Sequence, residues 1–148
     1  MPRPSTSFPT PEAWLLHRVS YGETDAMAVV YYGNYFHWFE RARNRYIRER
    51  GMSYRDIESR GIFLPVREAA CRYFAPARYE DQVWVRAGIS KWTKASMTFT
   101  YEITDHDRER VLSAGSTQHA CVDGQGRPVR VPDWLRGMCD DSPAEPTP

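Results

Sequence analysis

Tyr21-Gly22-Glu23-Thr24-Asp25-Ala26-Met27-Ala28-Val29-Val30-Tyr31-Tyr32-Gly33-Asn34-Tyr35 places an acid, Asp25, in a turn just ahead of the only long helical pattern in the chain. A helix start concentrates unpaired backbone N–H groups and partial positive charge, so a carboxylate beside it stays ionised and a nearby oxyanion can be held. That pairing suits attack on an acyl carbonyl.

Working outward, Tyr35, Trp38, Phe39, Ala42, Tyr46 and Ile47 recur at three- and four-residue steps. Arg41, Arg43, Arg45, Arg48 and Glu49 fall mostly elsewhere, which makes an amphipathic helix. Asn34 is its expected N-cap and Gly51 its stop. Ser53 and Asp56 have capping-box spacing for a shorter second helix that ends at Gly61. The period then changes to two: Val83, Val85, Ala87 and Ile89 alternate with more polar neighbours, as do Met97, Phe99, Tyr101 and Ile103. Residues 62 to 74 and 110 to 122 are further strand candidates, and another lies near Trp14 to Val19. Turn-rich segments at Ala75 to Asp81, Thr104 to Glu109 and Asp123 to Pro128 separate them.

The expected order is β-α-β-β-β-β. One long helix cannot cover both faces of five strands, so the economical α+β arrangement curls an antiparallel sheet around it and leaves an edge or face for self-association.

The chain has 148 residues, enough for one domain that buries about two thirds of its unfolded surface but short for two. The expected division is a flexible extension over residues 1–12, one domain over 13–138 and a flexible tail over 139–148. A net charge of +1 gives no general electrostatic grip on nucleic acid or an anionic membrane. Cys71, Cys121 and Cys139 are odd in number and lack C-x-x-C spacing, which argues against disulfides and points to a reducing cytoplasm. His17, His37, His106 and His119 show no metal-ligand spacing, so neither metal nor cofactor is expected. No apolar run is long enough for a signal peptide or a membrane span.

The run Y-G-E-T-D-A-M-A-V-V-Y-Y-G-N-Y, followed by F-H-W-F-E-R-A-R and later by L-P-V-R-E-A-A-C-R-Y-F-A-P-A-R-Y-E-D, resembles the 4-hydroxybenzoyl-CoA thioesterase family of hotdog-fold enzymes, roughly over residues 14 to 135. The resemblance implies the hotdog fold, a homodimer or homotetramer, and hydrolysis of a small or aromatic acyl-CoA. Within the D-x-x-x-V-V-Y-Y frame, Asp25 matches the family's catalytic aspartate, as nucleophile or general base. The backbone N–H of Tyr32 matches the amide that polarises the thioester carbonyl.

Ala28 stands where this family usually has glycine, so either its φ is negative and the change is harmless, or the turn is altered. The second case motivates an alternative: a non-catalytic hotdog dimer that binds acyl thioesters or serves as a scaffold. Glu23 and Glu40 compete for the acid role, although a Glu40–Arg43 surface ion pair is the plainer expectation for the second. Tyr31, Tyr35, Trp38 and Phe63 are candidate acyl-pocket walls, with core packing as the competing reading. Lys91, Lys94 and Arg78 are candidates for the coenzyme A phosphates.

Overall fold

A computed structural model of the protein describes residues 2–140. Five antiparallel strands, β1 (Glu12–Arg18), β2 (Val66–Tyr73), β3 (Gln82–Trp92), β4 (Ser96–Thr104) and β5 (Val111–Ala120), form one sheet in the order β1-β3-β4-β5-β2. The helices are α1 (Asn34–Glu49), α2 (Tyr54–Ser59) and α3 (Asp133–Met138). The curved sheet wrapped around α1 is the hotdog fold.

The three- and four-residue rhythm of α1 buries Tyr35, Trp38, Phe39, Ala42, Tyr46 and Ile47 against β3, β4 and β5. Fully burying a large apolar side chain contributes about 2 kcal/mol, so this face fixes the helix on the sheet. Phe39 stacks on Tyr101 with ring centroids 4.3 Å apart, and it fits because position 115 is glycine: a Cβ there would lie 2.6 Å from the Phe39 ring. At the far end of α1, Gly51 takes the left-handed conformation (φ 113°) that lets the chain leave the helix. In α2, Ser53 and Asp56 form the expected capping box.

Three expectations are corrected. Asn34 is the first residue of α1 and does not cap it; its side-chain amide donates instead to the Glu23 carbonyl at 2.8 Å. Arg43 is not on the surface. It points into the core and donates to the Tyr101 hydroxyl at 3.0 Å, while Glu40 stays exposed with its carboxylate 3.4 Å from His37 Nδ1.

The third correction concerns the segment expected to be a flexible extension. It lies across the outside of the sheet, where Val111 N–H donates to Pro2 O at 2.8 Å and Arg86 donates to Ser5 O at 2.9 Å. Phe8 is buried beneath the Arg86 guanidinium, whose other bonds go to Glu12 and Glu102. This arm packs because β3 carries glycine at position 88, where a Cβ would come within 2.9 Å of the Phe8 ring. The expected flexible tail falls almost wholly outside the described residues; Cys139, at its start, is buried.

Arg43 begins a chain of polar groups through the core. Its guanidinium donates to Tyr101, whose hydroxyl lies 2.6 Å from that of Thr117, and the Thr117 hydroxyl lies 2.7 Å from His119 Nε2. His119 Nδ1 is 2.9 Å from the Leu64 carbonyl, which can only accept, so the hydrogen sits on Nδ1 and every donor in the series points the same way. The chain ties α1, β4 and β5 to the segment that enters β2. Burial, reinforced by the nearby Arg43 charge, pulls the His119 pKa down to about 4 despite the bond to Leu64. The imidazole is therefore neutral near pH 7.

Candidate active site

The segment between β1 and α1 folds back on itself. After a 3-10 turn at Tyr21–Glu23, Thr24 and Val30 form an isolated bridge, and the Asp25 N–H donates to Val29 O at 2.9 Å. Within the loop so closed, Ala28 N–H returns to Asp25 O at 2.9 Å and Met27 N–H donates to Asp25 Oδ1 at 2.8 Å. One carboxylate oxygen is thus used to shape the loop. The other has no protein partner among the described residues.

Closing so tight a loop requires a left-handed residue, and Ala28 supplies it with φ of 63°. The harmless case of a negative φ therefore does not hold: Ala28 stands in a conformation that costs an alanine roughly 1–2 kcal/mol.

The chain next enters α1 through Tyr31, Tyr32 and Gly33. Tyr31 N–H is taken by Glu23 O at 2.9 Å, whereas the N–H groups of Tyr32 and Gly33 have no protein acceptor among the described residues. They are the open donors of the helix start. At Gly33 the backbone comes close to the Tyr31 ring: a Cβ there would lie 2.9 Å from it, so a larger residue would move that half-exposed ring aside. On its other side, Tyr32 O accepts the Tyr73 hydroxyl at 2.7 Å, which ties the helix start to the end of β2.

Asp25 and Tyr32 line one cavity of about 320 Å³, walled by Val29, Val30, Tyr35, Tyr73 and Phe74. The lining is mostly apolar and its one carboxylate is Asp25. Tyr35 closes the interior side, with its ring 5.0 Å from both Tyr73 and Trp38 and its hydroxyl accepting Ala77 N–H at 3.3 Å. Burial raises the pKa values of Tyr35 and Tyr73, so both hydroxyls are neutral. Larger cavities lie between the arm and the β4–β5 turn and along Arg41 and Arg48 on the exposed side of α1, both away from the helix start.

Other candidates are distributed unevenly. Trp38 is fully buried behind Tyr35, and Tyr31 is half exposed with its ring 4.6 Å from that of Tyr32. Phe63 lines a separate cavity with Leu64 and Val122. Arg78 lies in the segment that precedes β3, and Lys91 and Lys94 lie at that strand's other end, about 30 Å away for eleven residues of strand. In one protomer the same phosphates cannot meet both. Lys94 instead shares a cavity with Arg130 and Arg136.

Sequence reasoning passed over the engagement of Glu23. Its carboxylate receives the Trp38 indole at 2.6 Å, the Ser20 N–H at 2.8 Å and His17 Nε2 at 2.8 Å. Burial alone would push this carboxyl up, but those hydrogen bonds and the histidine outweigh it and hold the group below its ordinary 4.5. The signal in the sequence was a Ser20/Glu23 capping-box pair. No group of His, Cys, Asp and Glu side chains among the described residues is arranged to hold a metal ion.

A family model described as Thioesterase-like superfamily matches residues 19–138. A putative acyl-CoA thioesterase of Bacillus subtilis, YneP, is 32% identical over 121 residues, which cover 78% of this chain and 87% of YneP. A DHNA-CoA thioesterase from Staphylococcus aureus superposes with a TM-score of 0.78 at 33% identity, covering 84% of this chain and 87% of that one. The fold is also that of a 4-hydroxybenzoyl-CoA thioesterase variant, at a TM-score of 0.79 and 20% identity over 87% of this chain and 99% of the other.

Proposed function

The chain belongs to the Thioesterase-like superfamily and is a thioester hydrolase, and from that premise we propose that it hydrolyses a small or aromatic acyl-CoA to the free acid and coenzyme A through Asp25 and the Tyr32 amide. One observation supports the reading: Asp25, which keeps one carboxylate oxygen free, and Tyr32, whose N–H at the helix start has no protein acceptor among the described residues, line the same apolar cavity.

A thioester carbonyl that accepts the Tyr32 N–H gains stabilisation as charge grows on its oxygen. The free Asp25 oxygen then either attacks the carbonyl carbon, expelling the coenzyme A thiolate and giving an enzyme-bound anhydride that water cleaves to the free acid and the restored carboxylate, or takes a proton from an attacking water, whose adduct collapses with loss of the thiolate, which receives that proton. Size supports a short or ring-shaped acyl group, because Tyr35 closes a cavity near the lower end of the range for ligand sites, and the fully buried Trp38 packs against the Tyr35 ring.

The working form is a homodimer in the cytoplasm. Strand β2 bonds only to β5, and seven of its eight residues are exposed. Such an edge pairs readily with another. Two β2 strands running antiparallel about a two-fold axis bring the Tyr73 end of one copy toward the Val66 end of the other. The Lys91 and Lys94 end of the second sheet then comes to the side of the first cavity, where a bound coenzyme A extends its phosphates.

The test is release of free thiol from a panel of acyl-CoA esters by the parent protein and by Asp25→Asn. Benzoyl- and short-chain acyl-CoA should turn over, and the substitution should lower kcat by about a thousandfold. Undiminished hydrolysis by Asp25→Asn would refute the assignment.

A further inference from the structure

Two residues ahead of Asp25, Glu23 is gripped at both ends. Oε1 receives the Ser20 N–H at 2.8 Å and the Ser20 hydroxyl at 3.1 Å, while Oε2 receives the Trp38 indole at 2.6 Å. His17 Nε2 lies 2.8 and 3.1 Å from the two oxygens. Arg41 donates to His17 Nδ1 at 2.8 Å, which leaves the hydrogen of the neutral ring on Nε2. Every neighbour of the carboxylate is a donor.

The backbone of the same residue reaches the helix start. Its carbonyl accepts Tyr31 N–H at 2.9 Å and the Asn34 amide at 2.8 Å, so it holds the peptide just before Tyr32 and the first residue of α1. From the other side, the chain runs through Thr24 directly into the Asp25 loop. The side chain, meanwhile, is fixed to β1 through His17 and to the buried face of α1 through Trp38.

We infer that Glu23 is a positioning residue: a partly buried carboxylate, locked by donors from β1, Ser20 and α1, that sets the separation between Asp25 and the Tyr32 N–H. The inference rests on the roles given to those two groups above. Glu23 is not itself the base or nucleophile, because four donors occupy the lone-pair directions of its two oxygens. Its chemistry is specified by the all-donor surroundings. Glutamine has the same shape but must turn an NH2 group toward an N–H or O–H, which forces the loop aside.

Displacements of about 1 Å in a catalytic pair cost on the order of a hundredfold in rate. With benzoyl-CoA as substrate, Glu23→Gln should lower kcat at least about tenfold while KM stays within about twofold. Adding Trp38→Phe, which removes the donor that opposes the new amide, should recover part of the lost kcat. Should Glu23→Gln fail to fold by thermal melting, Asn34→Ala cuts the carbonyl side of the same junction and should lower kcat without raising KM.

A folded Glu23→Gln enzyme with parental kcat overturns the inference. So does a loss that Trp38→Phe does not relieve, or, in the fallback, an Asn34→Ala enzyme with parental kcat. Asp25→Asn separates this from the broader reading: an inactive Asp25→Asn beside a fully active Glu23→Gln removes only the role of Glu23, whereas an active Asp25→Asn removes the mechanism both depend on.

Discussion

Two polar clusters meet α1, a partly exposed one at its start and a buried one at its middle, and they are built on opposite plans. The middle cluster runs in a line from Arg43 through Tyr101, Thr117 and His119 to the Leu64 carbonyl, and contains no carboxylate. At the start, His17, Ser20 and Trp38 converge on the anion of Glu23. The first joins secondary-structure elements and none of its members lines the Asp25 cavity, whereas the second ends on the loop that carries Asp25. A buried line and a partly exposed hub thus serve different ends, and disturbing the line should cost stability where disturbing the hub costs turnover.

The sharpest way to break that contrast is Thr117→Val, which keeps the shape but leaves the Tyr101 hydroxyl without its acceptor and His119 Nε2 without its donor. A loss of about 2–4 kcal/mol is expected in urea unfolding, with kcat per folded molecule unchanged. A fall in kcat of the folded fraction would erase the distinction.

Acid separates the clusters next. His119 is held at about 4 against an ordinary 6.5, so between those values the unfolded chain binds the extra proton. Its contribution is complete above pH 6.5 and is lost as pH falls toward 4, with a slope of at most about 1.4 kcal/mol per unit. Glu23 is depressed below 4.5, so its contribution is complete above that value and fades only at lower pH, as the folded carboxylate takes a proton. Denaturant midpoints measured from pH 7 to 4 should therefore slope in the parent and flatten in His119→Gln, and Glu23→Gln should leave that slope in place.

The smallest effect belongs to the loop. Ala28→Gly relieves the left-handed alanine and should raise stability by about 1 kcal/mol, read as a higher Tm, with turnover within about twofold of the parent. A drop in Tm would mean that the turn is not strained.

Elements whose evidence is local were legible in the sequence. The period-two runs of β3 and β4 and the apolar rhythm of α1 are carried by neighbouring residues, and the turn before α1 drew attention to Asp25, while the Tyr32 amide came from the family resemblance. What escaped depends on distant partners. Arg43 read as a surface residue because its counterparts, Tyr101 and Thr117, lie on strands far along the chain. Asn34 looked like a cap because the carbonyl that engages it belongs to Glu23, eleven residues earlier. The six residues of α3 were too few to show a period, and the Pro/Ser/Thr composition of the arm concealed one buried ring, Phe8.

That arm carries a consequence for the order of events during synthesis. Ser5 must wait for Arg86, 81 positions later, and for Glu102, 97 positions later, before it has anything to hold, and Pro2 waits for Val111. Residues 2–9 therefore emerge from the ribosome well ahead of their docking surface and settle only after β4 and the start of β5 have followed. The outer layer of the sheet is completed by residues made long before it, which leaves the Phe8 ring without its seat against Arg86 and Gly88 in the nascent chain, for a chaperone to meet.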